Sequence, residues 1–280
     1  MELRFVYDRP AAVIGDGRRG LLVAGDVHVG IERKLIKEGI RLYSATEHTA
    51  NSLKGIADEF GIRKIVLLGD IKDTIMRPDT SERNALQRFF YDLRGYELVL
   101  VRGNHDAYLE DAVKHNLVDE LLFDRFALLH GNRWPSEEAM GKDYILTAHN
   151  HLAISYTDRV GTYKEKAWAV CGMDARAAAK RYGSFNRGIK LVIMPAFNDL
   201  ILGPEARDMR DPNTSPLLRN RLFGYRNCRF YTLRGELISP RSRAAAGRGV
   251  TPSRESLSVS RSSRTRAPRA LSGRPYPPAP

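Results

Sequence analysis

Short apolar runs, each cut off by a polar cluster, set the rhythm of the chain. Leu21–Ala24, Ile65–Leu68 and Leu98–Val101 are blocks of aliphatic side chains too short for helices, and they read as buried strands. Between them the spacing changes. Leu53, Ile56, Ala57 and Phe60 fall at i, i+3, i+4 and i+7, behind a Ser44/Glu47 capping-box pair and ahead of Gly61. Leu86, Phe89, Phe90 and Leu93 repeat the pattern ahead of Gly95. The order is β-α-β-α-β, which predicts an α/β fold with a parallel core. Before it, loose alternation at Leu3, Phe5 and Tyr7, broken at Pro10 and Gly15–Gly20, predicts an opening hairpin. Further strands are expected at Phe126–Leu129, Tyr144–Ala148 and Leu191–Met194, and a hairpin around Gly235 joins Arg229–Thr232 to Glu236–Ile238. Lys164–Ala179 is mixed in character and predicts no element.

Composition adds limits. A chain of 280 residues, 42% hydrophobic, fits a soluble globular protein with one large domain or two small ones. No apolar run approaches the roughly 20 residues that span a bilayer, and the N-terminus lacks a secretory pattern. Cys171 and Cys228 are too few and too distant in sequence to suggest a disulfide framework or a thiolate metal site, so reduced thiols and a cytoplasmic setting are expected. The net charge of +12 is unevenly placed. Residues 241–280 hold nine arginines against Glu255, which puts +8 in the tail and leaves about +4 for the rest. Apolar periodicity also ends near Pro240. The expectation is a folded domain over residues 1–239 and a disordered Arg/Ser/Pro-rich tail over 240–280. The tail would either grip phosphate backbones in a salt-sensitive way or be an inert extension.

The polar residues at the strand ends carry the chemistry. Asp26 and His28 follow the first block, Asp70 the second, and Asn104, His105 and Asp106 the third. His130 closes Phe126–Leu129, and His149 and His151 close Tyr144–Ala148. Open α/β folds place ligands at the carboxyl ends of their strands. Five of the seven histidines fall there, only His48 and His115 lying elsewhere. A single such histidine is ordinarily structural, but this many polar groups at buried positions need partners. Nitrogen and oxygen donors without thiolate suit Mn²⁺, Fe or Zn²⁺.

The series Asp26-Val27-His28, Gly69-Asp70, Gly103–Asp106, His130-Gly131 and His149-Asn150-His151 resembles the five motifs of the calcineurin-like metallophosphoesterases. One departure is Ala148, where that family usually has glycine; alanine matters only if the position needs a positive φ. The resemblance implies a four-layer α-β-β-α sandwich with mixed sheets. It implies two divalent ions, Mn²⁺ first and Zn or Fe as alternatives. Asp26, His28 and His151 would hold one, and Asn104, His130 and His149 the other, with Asp70 bridging. Such a pair can share a hydroxide for in-line attack on a phosphodiester. His105 would donate to the phosphate or protonate the leaving oxygen, with Asp106 orienting and charging it. Asp73 would lie just outside the ligands, or be a plain loop residue.

GDVHVGIE near the start and Val192–Gly203 resemble a narrower group: small archaeal phosphoesterases related to the SbcD-type subunit of DNA-repair nucleases, and bacterial ligase-associated repair phosphoesterases. This resemblance implies a phosphodiesterase or nuclease acting on DNA or RNA ends, alone or with a repair ATPase, helicase or ligase, and it leaves homodimerisation open. Two other readings stand beside it. One is a phosphatase or phosphodiesterase for a small nucleotide or other phosphoester. The other is a non-catalytic scaffold, disfavoured because every ligand position is filled. Trp134 and Trp168 read as packing or rim residues, Lys180-Arg181 as groove or solvated face, and Arg102 as a residue that could approach the site.

Overall fold

The computed structural model describes residues 1–40, 44–115, 117–157, 160–203, 215–238 and 259–260. The aliphatic blocks form the middle of a first sheet. Its strands β1 (Leu3–Val6), β2 (Ala12–Ile14) and β3 (Leu21–Ala24) pair antiparallel. From β3 onward, β4 (Lys64–Leu68), β5 (Glu97–Val101) and β6 (Leu117–Val118) continue it in parallel. The parallel crossovers carry α1 (Glu32–Lys37), α2 (Ala45–Glu59) and α3 (Thr80–Asp92). Ser44 caps α2 by accepting the Glu47 N–H, and Asp79 caps α3 by accepting the Glu82 N–H at 2.8 Å.

A second sheet faces the first. It comprises β7 (Leu121–Phe123), β8 (Phe126–Leu128), β9 (Tyr144–Thr147), β11 (Thr162–Met173), β12 (Lys190–Ile193), β13 (Phe223–Thr232) and β14 (Leu237–Ile238). Its spatial order is β14-β13-β11-β12-β9-β8-β7. Here β8, β9 and β12 are parallel and the rest antiparallel, so this sheet is mixed. The strand β10 (Ala153–Thr157) forms a hairpin with the first half of β11.

Period-2 alternation divides the buried side chains among three cores. Leu22, Ile65, Leu67 and Leu100 point out from the first sheet to meet Leu53 and Ile56 of α2 and Leu86 and Phe89 of α3. Val23, Val66, Leu68 and Val101 point the other way, between the sheets, against Phe126, Leu128, Leu146 and Val192. Trp168 is fully buried in that middle layer, with its ring stacked 4.0 Å from Phe5. The outer face of the second sheet is covered by α4 (Glu137–Met140), α5 (Ala175–Ala179) and α6 (Pro216–Arg219), through Met140, Ala178, Leu217 and Leu218. Helix, sheet, sheet and helix are the four expected layers.

Two expectations change. Cys171 and Cys228 stand opposite each other in the β11–β13 register and are joined as a disulfide, so the expectation of free thiols is overturned. Their separation of 57 residues says nothing about register, which is what sets them side by side. Lys164–Ala179 also has structure: it spans most of β11 and all of α5. Among the described residues no helix is long and apolar enough to cross a membrane. The tail lies outside the described residues except Val259–Ser260, a two-residue strand (β15) parallel to β1.

Candidate metal centre

The parallel strands of both sheets aim their carboxyl ends at one place. Asp26 and His28 follow β3, Asp70 follows β4, and Asn104 and His105 follow β5; His130 comes after β8, and His149 and His151 after β9. To gather there the backbone turns sharply. Asp26, His28, Asp70, His149 and His151 have φ of +55°, +40°, +48°, +66° and +46°. L-residues rarely adopt this region, and each instance costs about 1–3 kcal/mol. Strain concentrated on these five residues marks a site whose geometry the rest of the fold enforces.

The loops after β3 and β4 hold each other in register. Asp26 N–H donates to the Gly69 carbonyl at 3.1 Å, His28 N–H to that of Asp70 at 3.0 Å, and Val29 N–H to that of Ile71 at 2.7 Å. Glycine permits the closest approaches. A Cβ on Gly69 would lie 2.3 Å from Nδ1 of His130, and one on Gly103 would lie 2.1 Å from the Asp70 nitrogen. Ala148 needs no such freedom: it is not among the residues with positive φ and packs, buried, against Gly25.

Two sets of donors result. Asp26, His28, Asp70 and His151 bring ligand atoms within 4.8 Å of one another, as do Asp70, His130 and His149. Asp70 belongs to both. Asn104 joins the second set, with its Oδ1 3.3 Å from Nε2 of His130. Nδ1 of His130 faces the Leu68 carbonyl at 2.9 Å and must carry a proton to do so, which turns Nε2 toward the site. Asp70 Oδ2 lies 3.3 Å from that Nε2, 3.8 Å from Nε2 of His28 and 3.9 Å from Nε2 of His105. Both ring nitrogens of His28 are buried without a hydrogen-bond partner among the described residues, and Nε2 of His151 lies 3.3 Å from the Asp26 carboxylate without a well-aligned hydrogen bond. Orphaned imidazole nitrogens beside carboxylates are costly unless a cation completes them, so the donor set fits a pair of divalent ions.

Charge at the site is tightly coupled. Burial pushes the Asp70 carboxyl up, but the adjacent His130 imidazole and the His105 N–H outweigh it and hold it well below the usual carboxylate range. Burial likewise works against the His130 cation, yet Asp70 and Asp26 hold that group up at about 9. His149 goes the other way, to about 4, through burial and then the charge of His130. Asp26 resists its own burial and stays low because His151 and His130 face it.

The structure redistributes the residues around the ligands. Asp106 does not hold His105. Its carboxylate accepts the backbone N–H groups of Ile71 at 2.7 Å, Lys72 at 3.2 Å and Gly103 at 2.8 Å, and so ties the loops after β4 and β5 together. Four consecutive letters could not reveal that two of its three partners, Ile71 and Lys72, lie over 30 residues away. Nδ1 of His105 instead faces the Asp73 carbonyl at 2.5 Å. The Asp73 carboxylate lies 3.6 Å from Nδ1 of His28 and 2.8 Å from Nζ of Lys34. Arg102 pairs with Glu110 at 2.5 Å and lies 3.9 Å from Asp119. The Arg181 guanidinium lies 4.1 Å from the centroid of the Trp134 ring. Sequence reasoning missed Lys34, which sits on a six-residue helix without a side-chain cap. It also missed Asn198 as an anchor. Asn198 Nδ2 donates to the Val27 carbonyl at 2.7 Å, between Asp26 and His28.

The model of the calcineurin-like phosphoesterase family matches residues 20–178. Among solved structures, a nuclease MPE from Pseudomonas putida aligns with a TM-score of 0.50 at 19% identity, covering 83% of this chain and 98% of its own. YfcE, a phosphoesterase from E. coli, aligns with a TM-score of 0.33 at 16% identity over 49% of this chain and 72% of its own. No curated protein matches the chain.

Proposed function

We propose that this chain, which belongs to the calcineurin-like phosphoesterases, is a two-metal phosphodiesterase of the nuclease type that cleaves DNA or RNA strands. The observation that carries the phosphodiesterase reading is the sharing of Asp70 by two sets of ligand atoms that draw on both sheets. Asp26, His28 and His151 would hold one divalent ion, Asn104, His130 and His149 the other, and Asp70 would belong to both. Bound there, such ions neutralise phosphate oxygens and lower the pKa of water. His105 is the acid. The Asp73 carbonyl accepts from Nδ1–H and leaves Nε2 facing the site, on a ring that solvent and substrate can still reach. As the imidazolium, with both ring nitrogens protonated, it would donate the Nε2 proton to a phosphate oxygen or to the leaving group.

Nucleic acid as substrate is supported by the narrower resemblance of GDVHVGIE and Val192–Gly203 to repair phosphoesterases, and by a fold shared with a bacterial nuclease. Mn²⁺ is the first candidate ion on the same grounds. The near-neutral charge of residues 1–240, about +4, favours a second reading in which the substrate is a small phosphoester. Metal-free protein supplied with Mn²⁺, Mg²⁺ or Zn²⁺ and assayed on a chromogenic diester, its monoester and labelled DNA and RNA separates the two. Diester turnover with strand cleavage supports the nuclease; turnover of small esters alone supports the second reading.

A further inference from the structure

Tyr108 is held in a backbone conformation that bulky residues rarely adopt. Its φ is +63°, where a bulky side chain is an outlier, yet half of its surface stays exposed, so the strain buries little. It lies three positions after His105, so the two Cα atoms are at most about 11 Å apart. The Arg77 guanidinium lies 5.1 Å from the centroid of its ring and is anchored to Asp111 at 3.0 Å. Arg77 lies late in the loop that leaves Asp70, and Tyr108 belongs to the loop that leaves Asn104 and His105. The two loops that start at the metal centre therefore rejoin at this pair. Beside it in sequence Met76 and Ile75 are 74% and 55% exposed.

We propose that Tyr108, backed by Arg77, is a stacking platform for a nucleobase next to the phosphodiester under attack. The proposal rests on the nuclease reading and deepens it: the strand is engaged with a base unstacked, as at a single-stranded or frayed end. An aromatic face with an arginine on it accepts any base, because every base offers a π-face. The Arg77–Asp111 pair keeps the guanidinium in place, and half of the Tyr108 surface stays open to a ligand.

The test compares wild type with Tyr108→Asn, which tolerates a positive φ, and Tyr108→Phe, which keeps the ring. Substrates are bis(p-nitrophenyl) phosphate, a labelled single-stranded oligonucleotide as DNA and as RNA, and the same strand with abasic residues. The expected result is that Tyr108→Asn lowers kcat/KM for the strand, relative to the small diester, by about tenfold, through KM. Tyr108→Phe restores the ratio, and wild type on the abasic strand falls to the Tyr108→Asn level. An unchanged ratio in Tyr108→Asn, or an equal fall on normal and abasic strands, overturns the platform. Turnover of the small diester by wild type with no cleavage of any strand overturns the nuclease reading, and the platform with it.

Discussion

The backbone carbonyl of Asp73 meets Nδ1 of His105 at 2.5 Å while its carboxylate reaches toward His28 and Lys34. One residue thus places a proton on Nδ1 of His105, the proposed acid, and sets its carboxylate beside His28 of the first donor set. Its own carboxyl is held below the ordinary range: burial opposes the charge, but His28 and Lys34 outweigh it. Asp73→Ala removes the carboxylate and frees the loop that presents the carbonyl. Metal affinity is expected to fall about 10- to 100-fold, as for other partners of metal-binding histidines, with kcat falling further at saturating metal. Calorimetric titration with Mn²⁺ and steady-state kinetics check the two effects. Unchanged affinity and turnover would make Asp73 a mere loop residue.

Asp70 lies in both ligand sets, so its loss should remove two ions rather than one. In Asp70→Asn, elemental analysis after loading and desalting is expected to show well under one ion per chain, against two in wild type. Diester turnover should drop by about a thousandfold or more, consistent with several kcal/mol of charge stabilisation lost. Retention of one tightly held ion would mean that the sets are independent.

Loading should depend on pH in a direction the structure sets. Without metal, His130 titrates at about 9, because Asp70 and Asp26 hold its proton against burial. A metal must displace the proton on Nε2, so binding below that pH releases the His130 proton, and His151, whose proton Asp26 also holds up against burial, adds to the release. Apparent affinity is expected to rise by at least about tenfold per pH unit from 7 to 9 and to flatten above. Calorimetry in buffers of different ionisation heats measures the proton count, and no buffer dependence at pH 7.5 would contradict the assignment.

Much of this was legible in the chain itself. The strands that deliver ligands are short aliphatic blocks cut by Gly25, Gly69 and Gly103, and a buried strand ended by a glycine and a polar residue has few other readings. The helices announced themselves by spacing and by Ser44. The parts that were not legible depend on pairing between distant segments. The half of β11 at Thr162–Lys166 is polar because it forms an outlying hairpin with β10, and this masked a twelve-residue strand. The Cys171–Cys228 bond follows from the register of β11 on β13. Asp106 beside His105 in sequence suggested a contact, whereas its carboxylate serves backbone donors from two loops. Local pattern fixes elements; register and loop-to-loop hydrogen bonds are non-local.

Gly69 offers a test of how narrowly the centre is built. A methyl group there would collide with the His130 ring, and the residue sits at φ +74°. Gly69→Ala therefore pays for both strain and displacement, about 2–4 kcal/mol in all. Denaturant unfolding of the metal-free protein should register that loss, and the second ion should bind weakly or not at all. A variant with wild-type stability and full loading would show that the approach of the two loops is looser than the structure has it.

A two-ion centre that cleaves phosphodiesters in nucleic acid is tested most directly by one titration. Metal-free protein would receive Mn²⁺ in steps, with bound ions and cleavage of a labelled single strand followed in the same samples. The expected result is no cleavage without metal and activity rising as the second ion binds, with saturation at two per chain and none in Asp70→Asn. Two bound ions with no cleavage of DNA, RNA or a small diester would contradict the account and leave the fold a scaffold.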